Sequence, residues 1–233
     1  MNKTAVVTGS GSGIGKAMAI GLGRNGFNLV LIGRNKNNLE ETAARIKDEK
    51  PNLDIKVLPA DLTKRSEAIT ISSKIPKVDL LYNGIANWVD HDFKSATFDE
   101  IEETVDAVYK ANLLITKALL QKIINSRGII INIISDWGVP EADAPALFGS
   151  AKNAHSAFGI MLGKELKSND VNVINIYPTD VTSKGDIDDD TQKAGQIRLK
   201  DLVREIIKSI NSKRRIAQVH ISHLGKNLEV AIV

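Results

Sequence analysis

A chain of 233 residues, 42% hydrophobic and 25% charged, is long enough to bury a sizeable core and fits one α/β domain spanning residues 1–233. It contains no cysteine, which excludes disulfides, thiolate nucleophiles and zinc–thiolate sites. The net charge of +3 is spread along the chain and aromatics are only 4%, so neither the basic stripe nor the stacking platform of a nucleic-acid binder is present.

The elements follow in order. Lys3-Thr4-Ala5-Val6-Val7-Thr8 reads as a buried strand, and the small-residue run from Gly9 to Gly15 follows at once. A helix is expected from Ile14 to Asn25. A strand start this close to the N-terminus leaves no room for a signal peptide, and the apolar run near Ile129–Ile134 is too short to cross a bilayer, so cytoplasmic residence and no membrane partner are expected. Phe27–Ile32 is the second strand, and Asn35–Lys50 a helix with Leu39, Ala43 and Ile46 on one face, closed by Pro51. Ile55–Leu58 is the third strand, ending at Ala60-Asp61, with a helix from Thr63 to Ile75 capped by its threonine.

Val78–Tyr82 is the fourth strand. One long helix is expected over Phe98–Asn125, its apolar residues spread over more than one face. Ile129–Ile134, a helix over Ala146–Lys167, Val171–Ile176, a helix over Asp201–Ile210 and Ile216–Ile221 complete the alternation. The tail from Leu224 to Val233 is apolar enough to dock on the same or a neighbouring subunit. Strand–helix alternation requires crossover connections, hence a doubly wound parallel sheet of about seven strands with helices on both faces, and a ligand crevice at the strands' carboxyl ends. The Gly-rich turn lies at that edge, where glycines let the backbone approach a phosphate and the helix presents free N–H groups and its positive end.

The runs Thr8–Gly15, Asp61-Leu62, Asn83–Ala86, Asn132–Ser135 and Pro178, in this order, resemble the motifs of the short-chain dehydrogenase/reductase family over nearly the whole chain. Thr8-Gly9-Ser10-Gly11-Ser12-Gly13-Ile14-Gly15 fits the family's cofactor turn, and Asp61-Leu62 its adenine-contacting pair. Asn83-Gly84-Ile85-Ala86 stands where Asn-Asn-Ala-Gly is usual, and only Asn83 survives from that ending. Asn132-Ile133-Ile134-Ser135 places Ser135 on the catalytic serine. Pro178 matches the proline after the sixth strand, although Thr179 replaces a glycine; Val181 and Ser183 then fall where the family touches the nicotinamide amide and a phosphate. At the end of the second strand an acid would bind the ribose hydroxyls of NAD; here Gly33 removes that acid and Arg34 offers a forked donor to the extra phosphate of NADP. NADP is therefore expected over NAD, although Ser12 stands where many NADP-binding relatives carry a basic residue; the alternative is that Arg34 is a surface residue opening a helix.

One departure bears on function. The family's tyrosine follows its serine by thirteen positions and its lysine follows by four more, which lands on Phe148 and Lys152. The four-residue spacing puts both on one helix face. The resemblance implies that the lysine holds the cofactor ribose and lowers the phenol's pKa, but phenylalanine has no proton to give. Aligning the long helix puts Val108 where the family often has a proton-relaying asparagine; Asn112 is then a displaced version of it or, by preference, an exposed helix residue. Tyr177 is a weak substitute acid, expected to point into packing. Trp88 and Trp137 either wall a substrate pocket or belong to the core. His155 either packs or faces solvent. His220 and His223 point to opposite faces of a strand rather than sharing a metal. No metal is expected, and the acidic loop Asp186–Asp190 and the Lys213–Arg215 cluster read as solvated. The expected activity is NADP(H)-dependent hydride transfer on a small-molecule alcohol or carbonyl, in a homodimer or homotetramer. The alternatives are a nucleotide-binding pseudoenzyme or a Tyr-to-Phe trap.

Overall fold

The computed structural model describes residues 2–89, 91–182, 186–189, 195–212, 215–224 and 227–232. Its centre is one eight-stranded sheet in the order β3-β2-β1-β4-β5-β6-β7-β8. The strands are β1 (Thr4–Thr8), β2 (Asn28–Gly33), β3 (Ile55–Pro59), β4 (Leu80–Asn83), β5 (Ile129–Ile133), β6 (Asn172–Pro178), β7 (Gln218–Leu224) and β8 (Asn227–Ile232). The first seven are parallel. The eighth pairs antiparallel with β7, from Val219 opposite Ile232 to Leu224 opposite Asn227. The tail thus docks on its own subunit, adding an eighth, antiparallel strand to the expected parallel sheet of about seven and covering the edge of β7.

The helices are α1 (Gly13–Arg24), α2 (Lys36–Glu49), α3 (Arg65–Ser73), α4 (Phe98–Val105), α5 (Ala111–Ser126), α6 (Ala146–Glu165) and α7 (Leu199–Ile210). They lie on both faces because the strands are apolar on both. One core joins Val7, Leu31, Tyr82 and Ile131 to Met18, Leu22, Leu202 and Ile206. The other joins Val6, Val30, Leu81 and Ile130 to Ile71, Ile115, Leu119 and Ile123. Neighbouring residues on one strand therefore serve different cores, as the period of two demands. Among the described residues no helix is long and apolar enough to cross a membrane.

Three local expectations are corrected. The long helix is two helices joined by a π-helical turn at Asp106–Lys110. Helix α3 starts at Arg65 with Lys64 as its uncapped boundary residue. Thr63 donates instead to Asp61 Oδ1 at 2.7 Å, so its hydroxyl closes the turn after β3. Thr97 makes the reciprocal capping box with Glu100 that starts α4.

In the loop before α7, Asp188 is bonded to Arg24 at 2.6 Å and Arg45 at 2.7 Å rather than left to solvent. Of the basic cluster, Lys213 and Arg214 lie outside the described residues. Arg215 lies past α7 and donates to the Val171 carbonyl at 2.6 Å.

Candidate active site

Strand β1 ends in a turn that only glycine can make. Gly9 and Gly13 adopt φ of 68° and 52°. A side chain on Gly15 would come within 2.2 Å of the Gly9 carbonyl oxygen, and one on Gly9 within 2.8 Å of the Gly84 carbonyl oxygen. Thr8 ties the same corner together: its hydroxyl donates to the Tyr82 carbonyl at 3.1 Å and accepts from the Gly84 N–H at 3.0 Å. The backbones of residues 9 and 84 therefore meet without intervening side chains. Ser12, exposed, precedes α1 without a side-chain cap bond, and the first turn carries no acid. The N–H groups of Gly13, Ile14 and Gly15 thus open the helix with its positive end uncompensated.

The end of β2 is close by. Gly33 has little room beside it, since a Cβ would sit 3.3 Å from Leu39 Cδ2. Arg34 is exposed, and among the described residues nothing pairs with its guanidinium. Asn35, next in line, caps α2 by accepting from the Asn38 N–H at 3.2 Å. Asp61 also accepts from the Thr63 N–H at 3.1 Å, and the Thr63 hydroxyl bond above all holds its carboxyl below the usual range. Leu62, beside it, is buried in the core against α3.

The middle of the sheet edge holds an amide ladder that the motifs did not reveal. Asn83 Nδ2 donates to Asn132 Oδ1 and Asn132 Nδ2 to Asn175 Oδ1, each at 2.9 Å. The three residues are register partners across β4, β5 and β6. Asn175 Nδ2 then donates to the Ser156 carbonyl at 2.8 Å and to the Tyr177 hydroxyl at 3.2 Å. The signal in the sequence was an asparagine interrupting each of three apolar strand ends. Tyr177 is buried, its hydroxyl 2.8 Å from Ser156 Oγ and its ring stacked 4.3 Å from His220, so it packs as expected. The side chain of His223 lies outside the described residues.

Helix α6 carries the other half of the site. Phe148 is 3% exposed and packs with Val89, Val108, Leu147 and Ala151 in a small cluster separate from the two sheet cores. Lys152, one turn on, is 4% exposed; its Nζ donates to the Ile133 carbonyl at 2.9 Å and lies 5.6 Å from the Phe148 ring centre. Burial lowers its pKa to about 7. His155 is fully buried, and burial, with the Lys152 charge adding to it, lowers its pKa to about 3. Among the described residues neither of its ring nitrogens has a hydrogen-bond partner.

Ser135 follows β5 and opens a short 3-10 turn, Asp136–Gly138. Its hydroxyl donates to Asp136 Oδ1 at 2.8 Å and accepts from the Trp137 N–H at 3.2 Å. Trp137 in turn stacks on Trp88 at 5.0 Å and meets Phe148 edge-on at 6.1 Å. Both tryptophans therefore stand beside the serine and outside the sheet cores. Asn112 is buried, not exposed: its amide donates to the Val108 carbonyl at 2.9 Å and the Ile85 carbonyl at 3.1 Å, just past the π turn. A π turn leaves carbonyls without their helical donors, and this side chain supplies one.

Pro178 ends β6, and Val181 bridges to Ile197. Ser183 lies outside the described residues. Among the described residues no group of three or more potential metal ligands occurs.

Comparison with known proteins agrees with this arrangement. The family model for short chain dehydrogenases matches residues 3–194. An uncharacterized oxidoreductase of Staphylococcus aureus is 31% identical over 182 residues, covering 76% of this chain and 77% of the relative. One from Staphylococcus saprophyticus is 31% identical over 194 residues, covering 80% and 82%. An alcohol dehydrogenase from the archaeon Thermococcus sibiricus, solved with 5-hydroxy-NADP, superposes with a TM-score of 0.87 at 20% identity, covering 98% of this chain and all of that one. A short-chain dehydrogenase from Sphingobium yanoikuyae, solved with NADPH, gives 0.81 at 23% identity, covering 94% and 87%. At such identities these structures speak for the fold. The sequence matches carry the kinship, the family model running from β1 through the glycine turn, the serine and the lysine to beyond β6: this chain belongs to the short-chain dehydrogenase/reductase family.

Proposed function

We propose that this chain binds NADP(H) across the carboxyl edge of its sheet and exchanges hydride with a small alcohol or carbonyl compound, slowly, because the position of the acid–base phenol holds Phe148. The cradle at Gly9, Gly13 and Gly15 supports a dinucleotide, since any Cβ at Gly15 would close the space between turn and helix. Ser12, Gly13, Ile14 and Gly15 would hold the pyrophosphate. Arg34 would take the second phosphate of NADP in the absence of an acid at Gly33. Asp61 and Leu62 would bound the adenine, and Asn83 and Gly84 the middle of the cofactor. Lys152 would hold the nicotinamide ribose, with Pro178, Val181 and Ser183 about the nicotinamide and its neighbouring phosphate. When bound, the nicotinamide supplies or accepts the hydride. That some fold neighbours were solved with NADPH or 5-hydroxy-NADP supports this cofactor class.

The chain's own residues do the rest. Ser135 orients the substrate oxygen once its proton turns from Asp136 to that oxygen. Lys152 contributes charge beside it but already donates to the Ile133 carbonyl. The Phe148 ring keeps the wall and gives no proton, so the substrate oxygen exchanges its proton with water. A positioned acid–base group is worth ~10²–10⁴ in rate, about 3–5.5 kcal/mol.

The observation that carries the reading is the pairing of a complete glycine cradle with a buried Phe148 beside Lys152. That same pairing favours a second reading, a protein that binds NADP(H) without turnover and serves as a sensor or subunit. Assembly as a homodimer or homotetramer belongs to either reading and is supported by the exposed Phe98 and Val105 on α4. The test is to titrate NADPH by fluorescence and then assay a panel of carbonyl compounds. Turnover abolished by Ser135→Ala supports the enzyme; tight binding with no turnover supports the second reading; no binding of NADPH defeats both.

A further inference from the structure

The aromatic trio beside Ser135 is out of proportion to its surroundings. The chain has only two tryptophans, and both are here. Trp88 lies 5.0 Å from Trp137, nearly parallel at 24°, and 5.1 Å from Phe148, tilted at 58°. Yet it is 60% exposed, while Phe148 beneath it is 3% exposed. A large indole that gains so little burial from its own fold is held by ring contacts and little else. It sits in an extended stretch, residues 84–89, without regular structure. The two rings it stacks against, Trp137 and Phe148, meet each other at 6.1 Å, and the Trp137 N–H is bonded to the Ser135 hydroxyl at 3.2 Å. An aromatic ring there would place an attached carbonyl near the Ser135 hydroxyl.

The loops around this surface add a charge criterion. Residues 91–97 and 135–145 hold Asp92, Asp136, Glu141 and Asp143 against Lys94 and one histidine, His91. Lys152, beside Phe148, is an unforked amine already bonded to the Ile133 carbonyl, and these two loops hold no arginine, so carboxylate or phosphate substrates would meet net repulsion there.

The geometry points to a neutral, planar aromatic carbonyl compound as the substrate, bound on Trp137 and Phe148 in the place that the Trp88 indole fills here. Trp88 is the internal occupant, and the ligand ring displaces it. This identification rests on the reading of the sheet edge as a carbonyl site, so binding is measured without nucleotide and NADPH affinity is measured separately on the same samples. The probes are 2-naphthaldehyde, cyclohexanecarbaldehyde and the anionic 6-formyl-2-naphthoate, titrated by calorimetry. The naphthaldehyde is expected to bind at least tenfold more tightly than either of the others. Trp88→Ala, at an exposed position, is expected to tighten it threefold or more, because the competing ring is gone. That variant also leaves Trp137 as the sole indole, so quenching of its fluorescence by naphthaldehyde reports the contact directly. Equal binding of the aromatic and cyclohexyl aldehydes, equal binding of the naphthoate, unchanged or weaker binding in Trp88→Ala, or an unquenched Trp137 would each overturn the proposal. Loss of NADPH binding alone would defeat the cofactor reading and leave this one standing.

Discussion

The two halves of the sheet edge have been treated differently. At β1 and β2 the backbone does the work: Gly9, Gly13 and Gly15 keep the turn open, and all are present. At β5 and α6 the chemistry depends on side chains. There the serine's proton is drawn to Asp136, the lysine is tied to a strand carbonyl and the ring beside it is a phenylalanine with no hydroxyl. The contrast teaches that a nucleotide cradle and a proton-transfer site are separable. A cradle needs space and N–H groups, which survive as long as no Cβ intrudes. A proton path needs one particular atom, and a single substitution removes it while the packing stays intact.

The largest expected effect tests the altered half. Phe148→Tyr adds the hydroxyl on an existing ring, and kcat on a responsive carbonyl should rise by ~10²–10⁴. A rise below threefold, with NADPH still bound, would mean that the site has diverged beyond this one atom.

Next comes pH. Lys152 titrates near 7 when folded and at 10.5 when unfolded. Between those values the unfolded chain holds a proton that the folded chain has released, so this group's contribution to stability rises with pH across the window. Below about pH 7 the buried ammonium imposes its whole penalty. The slope is at most about 1.4 kcal/mol per pH unit. Urea midpoints at pH 7, 8 and 9 should converge on those of Lys152→Met when the slopes are subtracted; parallel curves for the two proteins would discredit the buried, deprotonating lysine.

The glycine-turn half is tested by steric insult. Gly15→Ala drives a methyl group into the Gly9 carbonyl. Overpacking of this kind costs about 1–3 kcal/mol, and NADPH affinity should fall by roughly ten- to a hundredfold. Unchanged affinity would remove the turn from the binding site.

The smallest effect concerns the choice between nucleotides. Arg34→Ala should weaken NADPH roughly tenfold and leave NADH untouched, because one solvent-exposed charge-assisted contact is lost. Equal losses for both nucleotides would assign Arg34 to general charge rather than to the second phosphate.

Much of this molecule could be read from residues close together in the chain. The Val6-Val7 run, the glycine spacing and the alternation of periods two and three-and-a-half announced a doubly wound sheet, and the offset from Ser135 to Lys152 located Phe148 on the site helix. Other features could not be read this way. The spacing leaves Asn112 either a displaced relay asparagine or, by preference, an exposed residue; in the structure it is buried just past the π turn at Asp106–Lys110, bonded to the Val108 carbonyl. Asn83, Asn132 and Asn175 stand far apart in sequence and meet only because β4, β5 and β6 are in register. Residue type alone does not separate pocket from core for Trp88 and Trp137, which meet as half-open stacking partners.

The sequence by itself determined the order of elements, the glycine-rich turn after the first strand and the phenylalanine one turn before Lys152, because hydrophobic period, glycine spacing and residue identity are local properties. Only the tertiary structure decided the eighth strand, the asparagine ladder, the claim of Asp136 on the serine and the ring that lies over Phe148. Each of these is a contact chosen from many compatible with the local pattern, and it is settled when distant segments compete for the same buried space and the same hydrogen-bond partners.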